Sequence, residues 1–149
     1  MVRPMLMHAS CAARDGLGIV LTGEPGSGKS DLLLRLLDRG FDLVADDQVA
    51  IGEDGMARPP ETLAGLIEVR GLGIMRFPFV ESARPVLVAQ LAHRTPPRLP
   101  EPRRDPVLDL PAIAIDPRPA NAAQLLTLAF DTVTGRARQQ TGAFTGAFA

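Results

Sequence analysis

The chain contains neither tryptophan nor tyrosine, and Cys11 is its one cysteine among 149 residues. A single cysteine excludes an intrachain disulfide and a metal cage built from thiolates. Without Trp and Tyr, few side chains could stack on nucleic-acid bases, and a net charge of −1 gives no excess of positive charge for a phosphate backbone. Nucleic acid is therefore not expected as a partner.

Long apolar runs are also missing from this sequence. The N-terminal stretch has no apolar segment of the kind that a signal peptide requires, and no run reaches the roughly 18 apolar residues of a membrane helix. We therefore expect a cytoplasmic protein with no membrane partner. The hydrophobic fraction of 46% and the charged fraction of 22% are typical of one globular domain with a real core.

What the chain does contain is a phosphate-binding motif. Residues 23–30 follow an apolar, strand-like run, fit the pattern GxxxxGK[ST], and lead into a leucine-rich helical run. Glycines let the backbone fold around an anion, so that amide groups and the positive end of the helix point at phosphate oxygens. Lys29 is expected to reach the β- and γ-phosphates, and Ser30 is the expected hydroxyl ligand of Mg²⁺. The residues expected to bind the nucleotide are Gly23, Glu24, Pro25, Gly26, Ser27, Gly28, Lys29 and Ser30.

Strand-like and helical segments alternate in the first half, which indicates an α/β fold with a parallel or mixed sheet. Leucines at helical spacing predict a helix over residues 29–39 that stops at Gly40. A strand over 41–45 should then bring Asp46 and Asp47 to the sheet edge that carries the phosphate loop. Further strands are expected over 5–9, 19–21, 48–51, 66–69, 74–79, 86–91 and 112–115, with a surface loop in the proline-rich stretch 96–119 and a final helix from Asn121 to about Thr132.

Three further sites accompany the loop. Asp46 and Asp47 are placed for metal binding or for general-base work on an attacking hydroxyl, and adjacency alone does not decide which of them is the base. Glu68 and Arg70 are two residues apart, so in a strand they share one face. His8 precedes the phosphate loop and would, taken alone, more often be structural or exposed.

These segments resemble the catalytic domain of the bacterial HPr kinase/phosphorylases. The resemblance covers most of residues 5–91, and the pairing of LVADD with EVRGLGI is far more specific than the loop alone. The later match is thinner, because Arg98-Leu99 resembles the family's RLG and residues 116–121 resemble its VRPGRN with the glycine and the second arginine lost. The stretches that carry the resemblance are His8, GEPGSGKS, RGFDLVADDQVAI (39–51) and EVRGLGI (68–74).

The resemblance implies a P-loop-containing kinase core that uses ATP and Mg²⁺ to phosphorylate a serine of an HPr-type phosphocarrier protein. Removal of that phosphate, with inorganic phosphate as acceptor and pyrophosphate as product, is a second implied activity. A homo-oligomer is implied too, a hexamer in the family. The kinase domain is assigned to residues 1–135, and 136–149 to a flexible or oligomer-contacting tail. The candidate catalytic residues are His8, Lys29, Asp46, Asp47, Arg70 and Arg98, with Ser30 and Glu68 as candidate Mg²⁺ ligands.

Other functions remain compatible with the motifs. A small-molecule P-loop kinase would use the same loop and carboxylates, but it would need a closed acceptor pocket whose only lid candidate is the proline-rich stretch. A GTPase is disfavoured because Asn121 is the single asparagine, so the guanine-reading NKxD cannot occur. A non-catalytic nucleotide-binding regulatory module would keep the loop and signal by contact.

Overall fold

The computed structural model of the chain describes residues 4–145. Short strands dominate; one helix follows the phosphate loop, and a second helix follows the last strand. A single 3-10 turn spans Glu61–Leu63. The elements are β1 (Met5–Met7), β2 (Ala9–Arg14), β3 (Leu17–Thr22), α1 (Lys29–Asp38), β4 (Asp42–Ala45), β5 (Val49–Ile51), β6 (Ala57–Arg58), β7 (Leu66–Val69), β8 (Gly73–Arg76), β9 (Arg84–Leu91), β10 (Arg103–Arg104), β11 (Pro111–Ile115) and α2 (Ala122–Val133).

A six-stranded mixed sheet, the central sheet, organises the molecule in the order β10-β11-β9-β3-β2-β4. Strands β11, β9 and β3 are parallel, while β2 is antiparallel to both β3 and β4. Because β2 lies between them, β3 and β4 run in the same direction and end at the same edge. The phosphate loop follows β3 and the acidic pair follows β4, so this topology brings the two together as the sequence predicts.

Alternate residues of the central strands face two different layers. On one side, Ile19 and Leu21 of β3 pack with both helices in the main core cluster. On the other side, Val20 packs with Cys11 and with residues of a small sheet of order β1-β5-β6. This alternation follows from the two-residue period of a strand. The two remaining strands, β7 and β8, form a separate antiparallel hairpin.

The helices agree closely with the sequence patterns. Helix α1 buries Leu32, Leu33 and Leu36 and ends before Gly40, whose φ of +93° suits glycine. Asn121 stands at the N-cap of α2 without a capping side-chain hydrogen bond. Within residues 4–145, neither helix is long and apolar enough to cross a membrane.

The N-terminal strand assignment needs correction. The sequence predicts one strand over residues 5–9, whereas the chain forms β1 in the small sheet and β2 in the central sheet, with His8 between them. The chain changes sheets at His8 because Met5–Met7 pairs with β5 and Ala9–Arg14 pairs with β3 and β4. His8 therefore lies at the junction of the two sheets.

The strand expected over residues 112–115 is present as β11, which lies inside the central sheet between β10 and β9. The rest of the proline-rich stretch is a loop as expected, except for the two-residue strand β10. Asp105 is buried, and its carboxylate accepts hydrogen bonds from the backbone amides of Val107 and Leu108 at 3.0 and 2.8 Å. The tail beyond residue 135 contributes Ala143 and Phe144 to the main core cluster. Its assignment as a separate tail and its oligomer contact stay predictions.

Candidate nucleotide and phosphoryl-transfer site

The phosphate loop joins the end of β3 to the start of α1. Gly26 and Gly28 have φ values of +80° and +105°, which residues with a side chain rarely adopt. These two positions let the backbone turn tightly into the helix. Lys29 Nζ donates hydrogen bonds to the carbonyl oxygens of Gly23 and Glu24, at 2.8 and 3.1 Å, so its ammonium group lies against the loop.

Asp46 follows β4 directly and is buried, with 5% of its surface exposed. Its Oδ1 accepts a hydrogen bond from Ser10 Oγ of β2 at 2.7 Å. Ser30 Oγ, in the first turn of α1, lies 2.8 and 2.9 Å from the two carboxylate oxygens. Asp46, at the end of β4, is thus hydrogen-bonded both to β2 and to Ser30, the residue that the motif predicts to be a Mg²⁺ ligand.

Asp47 has a very different environment from its neighbour. Its φ of +67° turns the backbone, and its side chain is 68% exposed. His8 Nδ1 lies 4.0 Å from Asp47 Oδ1. The two adjacent carboxylates therefore differ: Asp46 is buried against Ser30, and Asp47 is exposed in the cleft.

A cleft of about 680 Å³ unites these groups. The hairpin contributes Glu68 from β7 and Arg70 from just after the strand, and Leu63, Leu66 and Ile74 add apolar surface. The sequence-predicted residues that line this cleft are His8, Pro25, Gly26, Gly28, Lys29, Ser30, Asp46, Asp47, Glu68 and Arg70.

The remaining predicted residues lie elsewhere. Gly23 and Glu24 contact the Lys29 ammonium through their carbonyl groups. Ser27 lines a neighbouring pocket. Arg98 is exposed in the irregular segment after β9 and does not line the cleft, so the structure does not bring it to the other candidate catalytic residues. Its catalytic role stays a prediction.

The donor set fits Mg²⁺ bound together with a nucleotide. Within residues 4–145, no group of three or more His, Cys, Asp and Glu side chains could hold a metal on its own. Mg²⁺ commonly binds through one or two carboxylates plus substrate phosphates and water, so a preformed protein cage is not required. Ser30 and Asp46 are in contact, and Glu68 faces the same cleft.

Ser10 was missed in the sequence, although it contacts Asp46 directly. The available signal was weak: a single hydroxyl within the apolar and small residues of β2. Without knowing that β2 pairs with β4, nothing in the sequence connects Ser10 to a carboxylate 36 residues away.

Known proteins resemble this chain in sequence and in fold. The family model described as "HPr Serine kinase C-terminal domain" matches residues 1–80. The chain belongs to this family. The HPr kinase/phosphorylase of Clostridium novyi (strain NT) is 42% identical over 90 residues, which cover 58% of this chain and 29% of that protein. The HPr kinase/phosphorylase of Leptothrix cholodnii (strain ATCC 51168 / LMG 8142 / SP-6) is 52% identical over 64 residues, 40% of this chain and 20% of that protein.

Among solved structures, the chain resembles the Hpr(Ser) kinase/phosphatase from Coxiella burnetii. The TM-score is 0.75 with 27% sequence identity, and the match covers 89% of this chain and 98% of that one. The expected α/β kinase core with a mixed sheet is thereby confirmed. The chain matches less than a third of the length of the curated relatives above, 29% of one and 20% of the other.

Proposed function

We propose that this chain transfers the γ-phosphoryl group of ATP to a serine hydroxyl of an HPr-type phosphocarrier protein, with Mg²⁺ as cofactor. The observation that carries this proposal is the convergence of the phosphate loop, Asp46 and Asp47 in one cleft. Membership of the HPr serine kinase family, and the activity in the names of the similar proteins, support it.

The phosphate loop and the residues around it would bind the polyphosphate. Loop amides and Lys29 provide positive potential at the phosphate oxygens. Ser30, which contacts Asp46, and Glu68 would hold Mg²⁺, and the bound metal would neutralise charge on the polyphosphate. Arg70 is a further cation of the cleft, available to the charge that spreads over the transferred group.

Asp47 is the better placed of the two aspartates to act as the base. Its exposed carboxylate would accept the proton of the serine hydroxyl while the serine oxygen bonds to the γ-phosphorus and the bond to the bridging oxygen of ADP breaks. The His8 imidazole lies beside this carboxylate, 4.0 Å away. Asp46 is less suited because its oxygens already accept the two serine hydroxyls.

The form of the cleft favours a protein acceptor over a small molecule. Strand β8 of the hairpin is exposed along its whole length, and Ile74, which lines the cleft, is 72% exposed. The proline-rich stretch, the lid candidate for a small-molecule kinase, contributes no residue to this cleft. Exposed apolar residues beside a site are typical of surfaces that contact another macromolecule.

Two finer aspects belong to the same proposal. Phosphorolysis of the phosphoserine would use the same cleft in reverse, with inorganic phosphate as acceptor. Assembly into a homo-oligomer, a hexamer by family resemblance, is proposed from the resemblance alone.

The test is phosphorylation of a purified HPr-type carrier with labelled ATP and Mg²⁺. We expect acid-stable label on one serine, and no label with the Lys29→Ala variant or with a carrier in which that serine is alanine. Label on small metabolites with none on the carrier would indicate a small-molecule kinase. ATP binding without transfer to either would indicate a regulatory module.

A further inference from the structure

A second pocket, called here the side pocket, adjoins the cleft and has a volume of about 290 Å³. It shares Gly28 and Asp31 with the cleft, but it contains none of the candidate catalytic residues. Its volume is close to the lower limit of about 300 Å³ for small-molecule pockets. The phosphoryl-transfer chemistry proposed above gives this space no role.

The outer wall of the side pocket is held in place by α1. The chain leaves β11 and passes over the phosphate loop, so that Pro117 Cγ lies 3.2 Å from where a side chain on Gly28 would begin. Arg35 donates hydrogen bonds to the carbonyl oxygens of Pro117 and Pro119, at 2.6 and 3.3 Å. A salt bridge of 3.2 Å joins Arg35 to Asp31. Contacts within the protein therefore fix the position of this wall.

The side pocket also lies where an α/β sheet commonly binds ligands. Strands β3, β9 and β11 are parallel neighbours, and the phosphate loop, His93 and Pro117 all follow the carboxyl ends of these strands. Ligands of open α/β sheets bind at this edge. A nucleotide with its phosphates in the loop would therefore have the side pocket within reach of its other end.

Planar side chains line the entrance. His93 Nε2 lies 3.2 Å from the carbonyl oxygen of Ser27, which sets the imidazole against the loop. Arg118 is 57% exposed, and its guanidinium is oriented by two bonds of 3.0 Å to the Asp116 carboxylate. Guanidinium and imidazole planes, together with the ring of Pro117, are surfaces on which a heteroaromatic base packs.

The charge of the side pocket argues against a second phosphate. Arg35 is paired with Asp31, and Arg118 is paired with Asp116. Hydrogen bonds from Arg118 hold the pKa of Asp116 below its usual range, so that carboxylate stays ionised and keeps neutralising the arginine. A site whose cations are already paired suits an uncharged group better than a free anion.

We propose that the side pocket binds the nucleoside of the nucleotide, with a purine base packed against Arg118, His93 and Pro117. The phosphates would pass Gly28 into the cleft and reach Lys29. Arg35 acts as a positioning residue that fixes the 117–119 wall. This proposal rests on the proposed function, because that function makes a nucleoside triphosphate the ligand.

The experiment compares ATP with inorganic tripolyphosphate, which has the phosphates but no nucleoside. Both are titrated calorimetrically with Mg²⁺ into the wild type, Arg118→Ala, Arg118→Lys and His93→Ala. Arg103→Ala is the matched control, because Arg103 is exposed and lines neither pocket. We expect the Arg118 variants to bind ATP roughly 3- to 30-fold more weakly, the range for loss of a cation–π contact. His93→Ala should also bind ATP more weakly, and all of these variants should bind tripolyphosphate as the wild type does.

Arg118→Lys separates stacking from charge, since lysine keeps the charge and loses the plane. It should behave like Arg118→Ala. Equal weakening of ATP and tripolyphosphate in these variants would overturn the proposal in favour of a phosphate site. Equal affinity of the wild type for both ligands would overturn it as well.

The two proposals can fail separately. Preference for ATP over tripolyphosphate without phosphorylation of any carrier would remove the proposed function and leave the nucleoside site. Carrier phosphorylation without that preference would remove the nucleoside site alone. Failure of both ligands to bind would overturn both.

Discussion

Ser30 and Asp46 are in direct contact, with the Ser30 hydroxyl oxygen 2.8 Å from one carboxylate oxygen and 2.9 Å from the other. A hydroxyl that donates its proton to a carboxylate keeps its lone pairs for a cation. This contact therefore prepares Ser30 as a ligand and sets a negative charge directly behind it. The adjacent Asp47 takes no part in this arrangement, since it is exposed beside His8.

Asp46→Asn is expected to weaken Mg²⁺-dependent nucleotide binding by about 10- to 100-fold, as loss of a carboxylate that orients a metal ligand typically does. The measurement is ATP affinity with Mg²⁺ and with excess chelator. Mg²⁺ should raise the ATP affinity of the variant less than it raises that of the wild type. Asp42→Asn is the matched control, because Asp42 is an exposed aspartate of the same strand β4 and does not line the cleft. An unchanged magnesium effect in Asp46→Asn would contradict the assignment.

Asp47→Asn is expected to reduce phosphoryl transfer by about 10²- to 10⁴-fold while Mg·ATP affinity stays within a few fold. The loop would still bind the phosphates and Ser30 the Mg²⁺, since among residues 4–145 the Asp47 side chain has no hydrogen bond or ion pair with either and its 4.0 Å approach is to His8. Single-turnover kinetics and calorimetry measure the two quantities. If the variant instead lost nucleotide affinity and kept its transfer rate, Asp47 would be a ligand and the base would be sought at Asp46.

The sequence predicts the parts of this site that are local. The phosphate loop is one continuous motif, and helix α1 follows from leucine spacing, so the loop and the helix are where the sequence predicts them. The sequence does not predict the different environments of Asp46 and Asp47. Asp47 is turned outward by its own backbone conformation, and Asp46 is held by Ser10, which lies on a strand that meets β4 only once the sheet has formed. The side pocket was missed for the same reason: Arg35 and Pro117 are 82 residues apart.

Phe144→Ala tests the end of the chain. Phe144 is 5% exposed within the main core cluster, and its backbone amide donates a hydrogen bond to Gln139 Oε1 at 2.7 Å. We expect the free energy of unfolding to fall by about 3–5 kcal/mol, as for other buried phenylalanines. Gln140→Ala, at an exposed position, should change it by no more than about 0.5 kcal/mol. Equal urea midpoints for the two variants would mean that the segment is frayed in solution.

Cys11 should make the protein less stable in alkali. Burial raises the pKa of its thiol from 9.0 to about 12. Above pH 9 the unfolded chain loses the thiol proton, whereas the folded chain retains it. The thiol's contribution to the free energy of unfolding is therefore complete below pH 9 and is lost as the pH rises toward 12. Between these limits the free energy of unfolding would fall by up to about 1.4 kcal/mol per pH unit. Urea unfolding of the wild type and Cys11→Ala between these limits measures it, and parallel pH dependences of the two proteins would refute the prediction.

The direction of phosphoryl transfer is the last prediction. Phosphorolysis must hold an extra inorganic phosphate beside a phosphoserine, a task suited to the planar fork of arginine. Arg118 is already paired with Asp116, and Arg98 lies outside the cleft, which leaves Lys29 and Arg70 as the lysine and arginine that line it within residues 4–145. Loss of one such anion contact typically costs about 10²-fold in rate, so kinase activity should clearly exceed phosphorolysis.

The measurement supplies a serine-phosphorylated carrier, Mg²⁺ and millimolar phosphate, follows release of pyrophosphate, and compares this rate with the forward reaction at saturating substrates. A much slower reverse reaction is expected. Equal rates would show that another basic residue supplies the missing contact. Arg98→Ala would then decide whether this exposed arginine moves to the cleft when the carrier binds, because only in that case would the substitution slow phosphorolysis and leave nucleotide affinity unchanged.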